Sequence, residues 1–244
     1  MKHKSPHVII LGCGRSGTSI FGEFFDHLPE YQYYSEPSYE RLKELDFSQP
    51  TAIKVPKSHP DFKSTKGLSF PLNDLIQTID KPIQWYWQVR HPLDTICSLR
   101  VGIAKNWGHH PRPEDWQDWL DRPLLEQCAH HWNYINTTSY ETVKGLVKVK
   151  HFEEMIGDSL GFAEQIATEI RLNISNNKAT LQKWANRVQD TNNERFVEAK
   201  TSRAYSTKDH QVRVGRWKEN LSEAEVAQIV PTVRETAERF GYRL

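Results

Sequence analysis

A chain of 244 residues, 37% hydrophobic and 26% charged, has the ordinary balance of a soluble globular protein and the length of one α/β domain. Its formal net charge of +1 supplies no general field for a nucleic acid or an anionic membrane, so any anion site must be a local cluster. Cys13, Cys97 and Cys128 are odd in number and widely spaced, which gives neither a disulfide framework nor a zinc pattern, and no apolar run has the length of a secretory core or a membrane span. The expectation is one cytoplasmic domain spanning residues 1–244.

The β-branched run at 7–12 stops at glycine and reads as a strand. After it, Ile20, Phe24 and Leu28 recur at helical spacing with Phe21 and Phe25 beside them. Residues 31–35 and 51–55 read as short strands, and "FPLNDLIQTI" at 70–79 as a helix. Residues 82–89 form an aromatic-rich strand. "PLDTICSLRVGI" places proline at a first helical position, with Leu93, Ile96, Leu99 and Ile103 on one face. Residues 106–120 carry Trp107, Trp116 and Trp119 among proline, histidine and charge; they fit either an acceptor lid that stacks on a sugar or a hydrophobic anchor between helices. A helix over 124–135, a strand within 145–152 and a C-terminal helix follow. That last helix opens on a capping box, Ser222 to Glu225, and is expected to kink before Pro231. Repeated strand-then-helix order implies a parallel sheet covered by helices on both faces, with ligands at the carboxyl ends of its strands.

"LGCGRSGTS" joins the first strand to the first helix. Gly12 and Gly17 have the P-loop spacing, but Thr18 stands where nucleoside-triphosphate enzymes carry lysine. Gly12, Gly14 and Gly17 let the backbone aim amides inward, and Ser16, Thr18 and Ser19 open a helix whose positive end favours an anion. Arg15 adds a fixed charge. The strand at 82–89 ends in the cation Arg90, where a P-loop kinase uses an acid to help hold magnesium.

These residues resemble the sulfotransferases that use 3′-phosphoadenosine 5′-phosphosulfate. "GCGRSGTS" is similar to that family's 5′-phosphosulfate loop, which assigns donor contacts to Gly12, Cys13, Gly14, Arg15, Ser16, Gly17, Thr18 and Ser19. "VRHPLDTICSLR" is similar to its 3′-phosphate motif, an arginine and a serine eight residues later, matched by Arg90 and Ser98. "HFEEMIGD" at 151–158 resembles a later family segment. "VRVGRWKENLS" at 212–222 resembles the loop that closes over the donor, with Gly215, Arg216, Trp217 and Lys218 as contacts. Trp217 fits equally a core aromatic.

On the same resemblance Glu36, in "YYSEPSY", is the general base, and Lys54, in "AIKVPK", polarises the bridging oxygen or the sulfuryl group, with Arg15 sharing that task. Small-molecule members use a histidine base, for which His59, His109 and His110 are the alternatives. The implied function is sulfuryl transfer from 3′-phosphoadenosine 5′-phosphosulfate to an acceptor hydroxyl, a carbohydrate or glycolipid by the Glu36 pattern. Adenosine 3′,5′-bisphosphate is the product, and neither a metal nor a nucleic acid takes part. A P-loop nucleotide kinase and a non-catalytic nucleotide-binding module are the competing classes.

Overall fold

The computed structural model describes residues 5–55, 76–79, 82–190 and 214–244. Five strands, β1 (His7–Gly12), β2 (Gln32–Ser35), β3 (Thr51–Lys54), β4 (Ile83–Val89) and β5 (Val147–His151), form one sheet in the order β2-β3-β1-β4-β5. Every pairing is parallel, with Ile9 opposite both Ile53 and Trp85. A parallel sheet needs crossovers that cover both faces, so its central strand must be apolar at every position rather than at alternate ones. Accordingly β1 is buried from end to end.

Period-two geometry then divides the core. Ile9 and Leu11, with Trp85, Trp87 and Val89, pack on one face against α3 (Pro92–Ile103), α4 (Leu124–Tyr134) and α9 (Glu223–Arg239). Val8, Ile10 and Tyr86 pack on the other against α1 (Thr18–Asp26), α6 (Ser159–Glu169) and α7 (Ile174–Asp190). Trp87 is fully buried, and its indole Nε1 donates to Asn136 Oδ1 at 3.0 Å, so that buried donor is satisfied. Short helices α2 (Tyr39–Lys43), α5 (Phe152–Gly157) and α8 (Trp217–Asn220) lie at the carboxyl edge or beside it.

Strands, parallel order and two-sided helical cover agree with the sequence reading, and α3 has the bounds read from its pattern. The Ser222–Glu225 capping box is present, and Pro231 lies inside one continuous helix. Helices α6 and α7 are additions that the sequence reading does not contain. Of the helix expected over 70–79, only 76–79 fall among the described residues, of which 76–78 are helical. Because β1 is central and its neighbours all run the same way, the segments after β1, β2, β3, β4 and β5 leave the sheet at one edge.

Candidate active site

Gly12 ends β1 at φ +147°, and a Cβ there would stand 2.3 Å from the Gln88 carbonyl oxygen of β4. Gly17 has φ +90°, and a Cβ there would stand 2.3 Å from the Phe152 ring. Both positions admit glycine alone, which is why the loop has its spacing. Gly17 caps α1 without a side chain, so the first amides of that helix receive no side-chain acceptor, the condition under which a helix opening takes an anion. Ser16 and Thr18 are buried and Ser19 is exposed. Cys13 is buried, and burial pushes its thiol above the ordinary range, so it lines the loop as an inert small residue.

Glu36 and Lys54 meet because of strand register. Ser35 pairs with Lys54, and the Glu36 amide donates to the Lys54 carbonyl at 2.8 Å. Lys54 Nζ then donates to Glu36 Oε1 at 2.5 Å and to Ser19 Oγ at 3.1 Å. The lysine is 3% exposed and the glutamate 40%, so a covered cation stands between the helix opening and a carboxylate that reaches solvent. Arg15, Glu36 and Val55 hold φ of +68°, +50° and +45°, three non-glycine left-handed residues at one sheet edge. Such conformations persist only where the surroundings over-determine them, and they gather at functional sites.

Arg90 is buried directly after β4. Its guanidinium lies 4.4 Å over the Phe152 ring, and Nη1 donates to the Arg15 carbonyl at 3.3 Å. On α3, Asp94 and Ser98 are four residues apart and share one helix face. Asp94 Oδ2 accepts from the Gly215 amide at 2.7 Å and Oδ1 from the Trp217 amide at 3.0 Å. Arg216 Nη1 donates to Ser98 Oγ at 3.0 Å. The C-terminal loop is thereby fastened to α3 by two short amide contacts and one guanidinium. Trp217 is half-buried and parallel to His91, with ring centroids 6.0 Å apart, and exposed Lys218 lies 5.8 Å from the Trp217 ring centre. Glu153, in the 151–158 segment, accepts from the His91 amide at 2.9 Å and from the Tyr242 hydroxyl at 2.8 Å.

Like charges meet here. Burial and then Arg90 hold the Arg15 guanidinium below its ordinary range. Burial, Arg90 and Arg15 together bring Arg216 down to about 10, with Asp94 opposing. Arg90 itself is lowered by burial, with Asp94 and Glu153 opposing. Three arginines from three distant segments are thus gathered at a cost that a bound polyanion would relieve.

Direct contacts join Arg90 to Arg15 of the glycine loop, Lys54 to Ser19 and Glu36, and Arg216 to Ser98, while Gly215 and Trp217 are held through Asp94. Asp94 is absent from the sequence assignment. Its signal was its place four residues before Ser98, which puts both on one helix face. His59 lies outside the described residues, and His110 is exposed.

No family model matches the chain, and no curated protein sequence does. Solved structures do. Mouse sulfotransferase SULT7A1 complexed with PAP superposes at TM-score 0.61 with 18% identity, over 96% of this chain and 85% of that one. The sulfotransferase domain of the curacin biosynthetic pathway superposes at 0.59 with 10% identity, over 99% of each chain. That of the Synechococcus olefin synthase superposes at 0.56 with 14% identity, over 100% of this chain and 98% of that one. The chain has the sulfotransferase fold.

Within that sulfotransferase fold the tryptophans of 106–120 are anchors. Trp107 is fully buried; Trp116 packs on it at 6.2 Å, with the Arg112 guanidinium 4.8 Å over the Trp116 ring; Trp119 stacks on His130 of α4 at 3.9 Å. His130 Nε2 lies 2.8 Å from Asp115 Oδ1, and Trp119 Nε1 donates to Asp115 Oδ2 at 3.2 Å. Of the two sequence alternatives for this segment, these contacts make the anchor. No helix among the described residues is long and apolar enough to cross a membrane.

Three histidines of this sulfotransferase fold are held below their ordinary value. Burial lowers His91, burial and Arg15 bring His109 to about 4, and burial and His109 take His131 well down. Each binds a proton near pH 6.5 when unfolded, so the unfolded chain holds more protons as pH falls below that value. The stability they allow is complete above about pH 6.5 and lost towards pH 4, at up to about 1.4 kcal/mol per pH unit for each. Melting temperature should therefore fall steadily from pH 7 to 5, and less steeply in His131→Phe. A flat profile over that interval contradicts the assignment.

Proposed function

We propose that the chain transfers a sulfuryl group from 3′-phosphoadenosine 5′-phosphosulfate to an acceptor hydroxyl. The observation that carries this is the gathering of Arg15, Arg90 and Arg216 around a glycine-lined helix opening, a cluster of like charge that suits a ligand with two separate anionic groups. The PAP bound to mouse SULT7A1, which shares the fold, supports the same reading. Gly12 through Ser19, with Arg15, would hold the 5′ group; Arg90, Ser98 and Arg216 would hold the 3′-phosphate; Gly215, Trp217 and Lys218 would cover the nucleotide. The donor supplies the sulfuryl group.

Glu36 takes the proton of the attacking hydroxyl through its solvent-facing carboxylate. Lys54, between the Ser19 hydroxyl and Glu36, orients that carboxylate and supplies positive charge at the transferring group, assisted by Arg15. The acceptor is a hydroxyl compound, a carbohydrate or glycolipid by the Glu36 pattern alone, since the tryptophans of 106–120 are engaged in packing. The protein acts in the cytoplasm as one domain, without a metal.

Calorimetric titration tests the donor class before any acceptor is known. Adenosine 3′,5′-bisphosphate should bind in excess EDTA, and much more tightly than AMP or ATP. Magnesium-dependent ATP binding in preference to the bisphosphate would establish a kinase-like site instead.

A further inference from the structure

Between α3 and α4 the chain folds back in a way that no donor contact requires. Asn106 and Trp107 both adopt φ +52°, consecutive left-handed residues that are not glycine. The reversal is held by the Gly108 amide on the Gly102 carbonyl at 2.7 Å and the Trp107 amide on the Ile103 carbonyl at 3.0 Å. The Trp107 indole is fully buried, and its Nε1 donates to His131 Nδ1 at 2.7 Å. The result is to seat the His109 imidazole between two glycines of different segments. A Cβ on Gly102 would stand 2.1 Å from His109 Nε2, and one on Gly14 would stand 3.3 Å from His109 Cβ and 3.6 Å from Nδ1. The His131 ring backs it edge-on at 6.4 Å between centroids.

Gly14 immediately precedes Arg15, whose left-handed φ turns the loop towards α1. We propose that His109 is a positioning residue for this loop: seated on Gly102 and backed by His131, it presses on Gly14 and so fixes the turn at Arg15 that aims the loop at the donor's 5′ group. The proposal rests on the donor reading given above. The wedge must be uncharged, because a second cation beside Arg15 would push the loop away, and burial and Arg15 keep the ring neutral at pH 7. Nε2 faces α3 beside Gly102.

The test compares adenosine 3′,5′-bisphosphate with adenosine 3′-monophosphate, by calorimetry on the full chain or by competition where the monophosphate is weak. The ratio of their affinities isolates the grip on the 5′-phosphate. Gly102→Ala displaces the ring without deleting it, His109→Ala deletes it without a clash, and His109→Gln keeps an uncharged polar side chain of similar reach. In the first two, bisphosphate affinity should fall by about tenfold or more, the loss of one hydrogen bond to a charged group, with monophosphate affinity unchanged. His109→Gln should recover most of the loss. Should Gly102→Ala not fold, His109→Ala and His109→Gln decide alone. Equal weakening of both ligands, or of neither, makes His109 an ordinary packing residue and overturns the proposal. Failure of the donor reading looks different, since the parent chain would then not prefer the bisphosphate to AMP.

Discussion

Glu36→Gln should lower turnover at saturating donor by about 10² to 10⁴ while leaving bisphosphate affinity nearly unchanged. The amide keeps the shape of the carboxylate and can still accept from Lys54 Nζ, now 2.5 Å from Oε1, but it cannot take the acceptor's proton. The change also removes the counter-charge of a lysine that is 3% exposed, so some stability will be lost and rates must be compared well below the melting temperature. Lys54→Ala gives the contrasting pattern: turnover falls through lost charge stabilisation, and donor affinity falls with it, because the cation acts in ground and transition states alike. A panel of sugars, glycolipids, phenols and tyrosine peptides supplies the acceptor. Near-normal turnover in Glu36→Gln, with collapse in His110→Ala or in donor-saturated His109→Ala, would move the base from the glutamate to a histidine.

Asp94→Ala should be the most destabilising change in the site. The carboxylate is fully buried, receives both the Gly215 and Trp217 amides, and opposes the lowering of Arg90 and Arg216. Its removal orphans two donors and leaves the neighbouring cations less compensated, a loss of about 3–5 kcal/mol by analogy with broken buried pairs. Urea unfolding measures it directly. Asp94→Asn, which retains an acceptor but no charge, should fall between the two, and the rise in melting temperature on adding bisphosphate should shrink in both variants as the 215–218 loop loosens. An Asp94→Ala chain as stable as the parent would mean that the loop is held by other contacts.

How much of this was legible depended on where the signal was local. The loop from Gly12 to Ser19 could be read because its chemistry is backbone chemistry, which glycine spacing records, and Glu36 and Lys54 could be placed at the sheet edge because Glu36 directly follows one short strand and Lys54 ends the next. Their contact could not, since it follows from Ser35 lying opposite Lys54 in a register that no short window contains. The order β2-β3-β1-β4-β5 is of the same kind. Helix α7 was hidden differently. Leu181, Trp184, Ala185 and Val188 do recur at helical spacing and are buried, but they are thinly spread among asparagine, lysine and glutamine. In α6 two of the four buried core residues are alanine, Ala163 and Ala167, which fill a core without strongly marking it as apolar in the sequence. Trp107, Trp116 and Trp119 left two readings open, since large aromatics near charge suit a sugar platform as well as an anchor, and the packing partners that favour the anchor, His130 and His131, lie on the next helix, outside the segment itself.

The fastening of Gly215 to Asp94 spans 121 positions of the chain, and that of Arg90 to Arg15 spans 75. The glycine loop stands on β1 and its neighbours β3 and β4, whereas the Arg216 side of the site exists only where residues 215–217 are docked on α3. Loss of the segment from residue 214 onward would therefore remove one wall of the site together with the α9 side chains Ile229, Val233 and Ala237 that cover one face of the sheet, so that folding and anion binding should fail together.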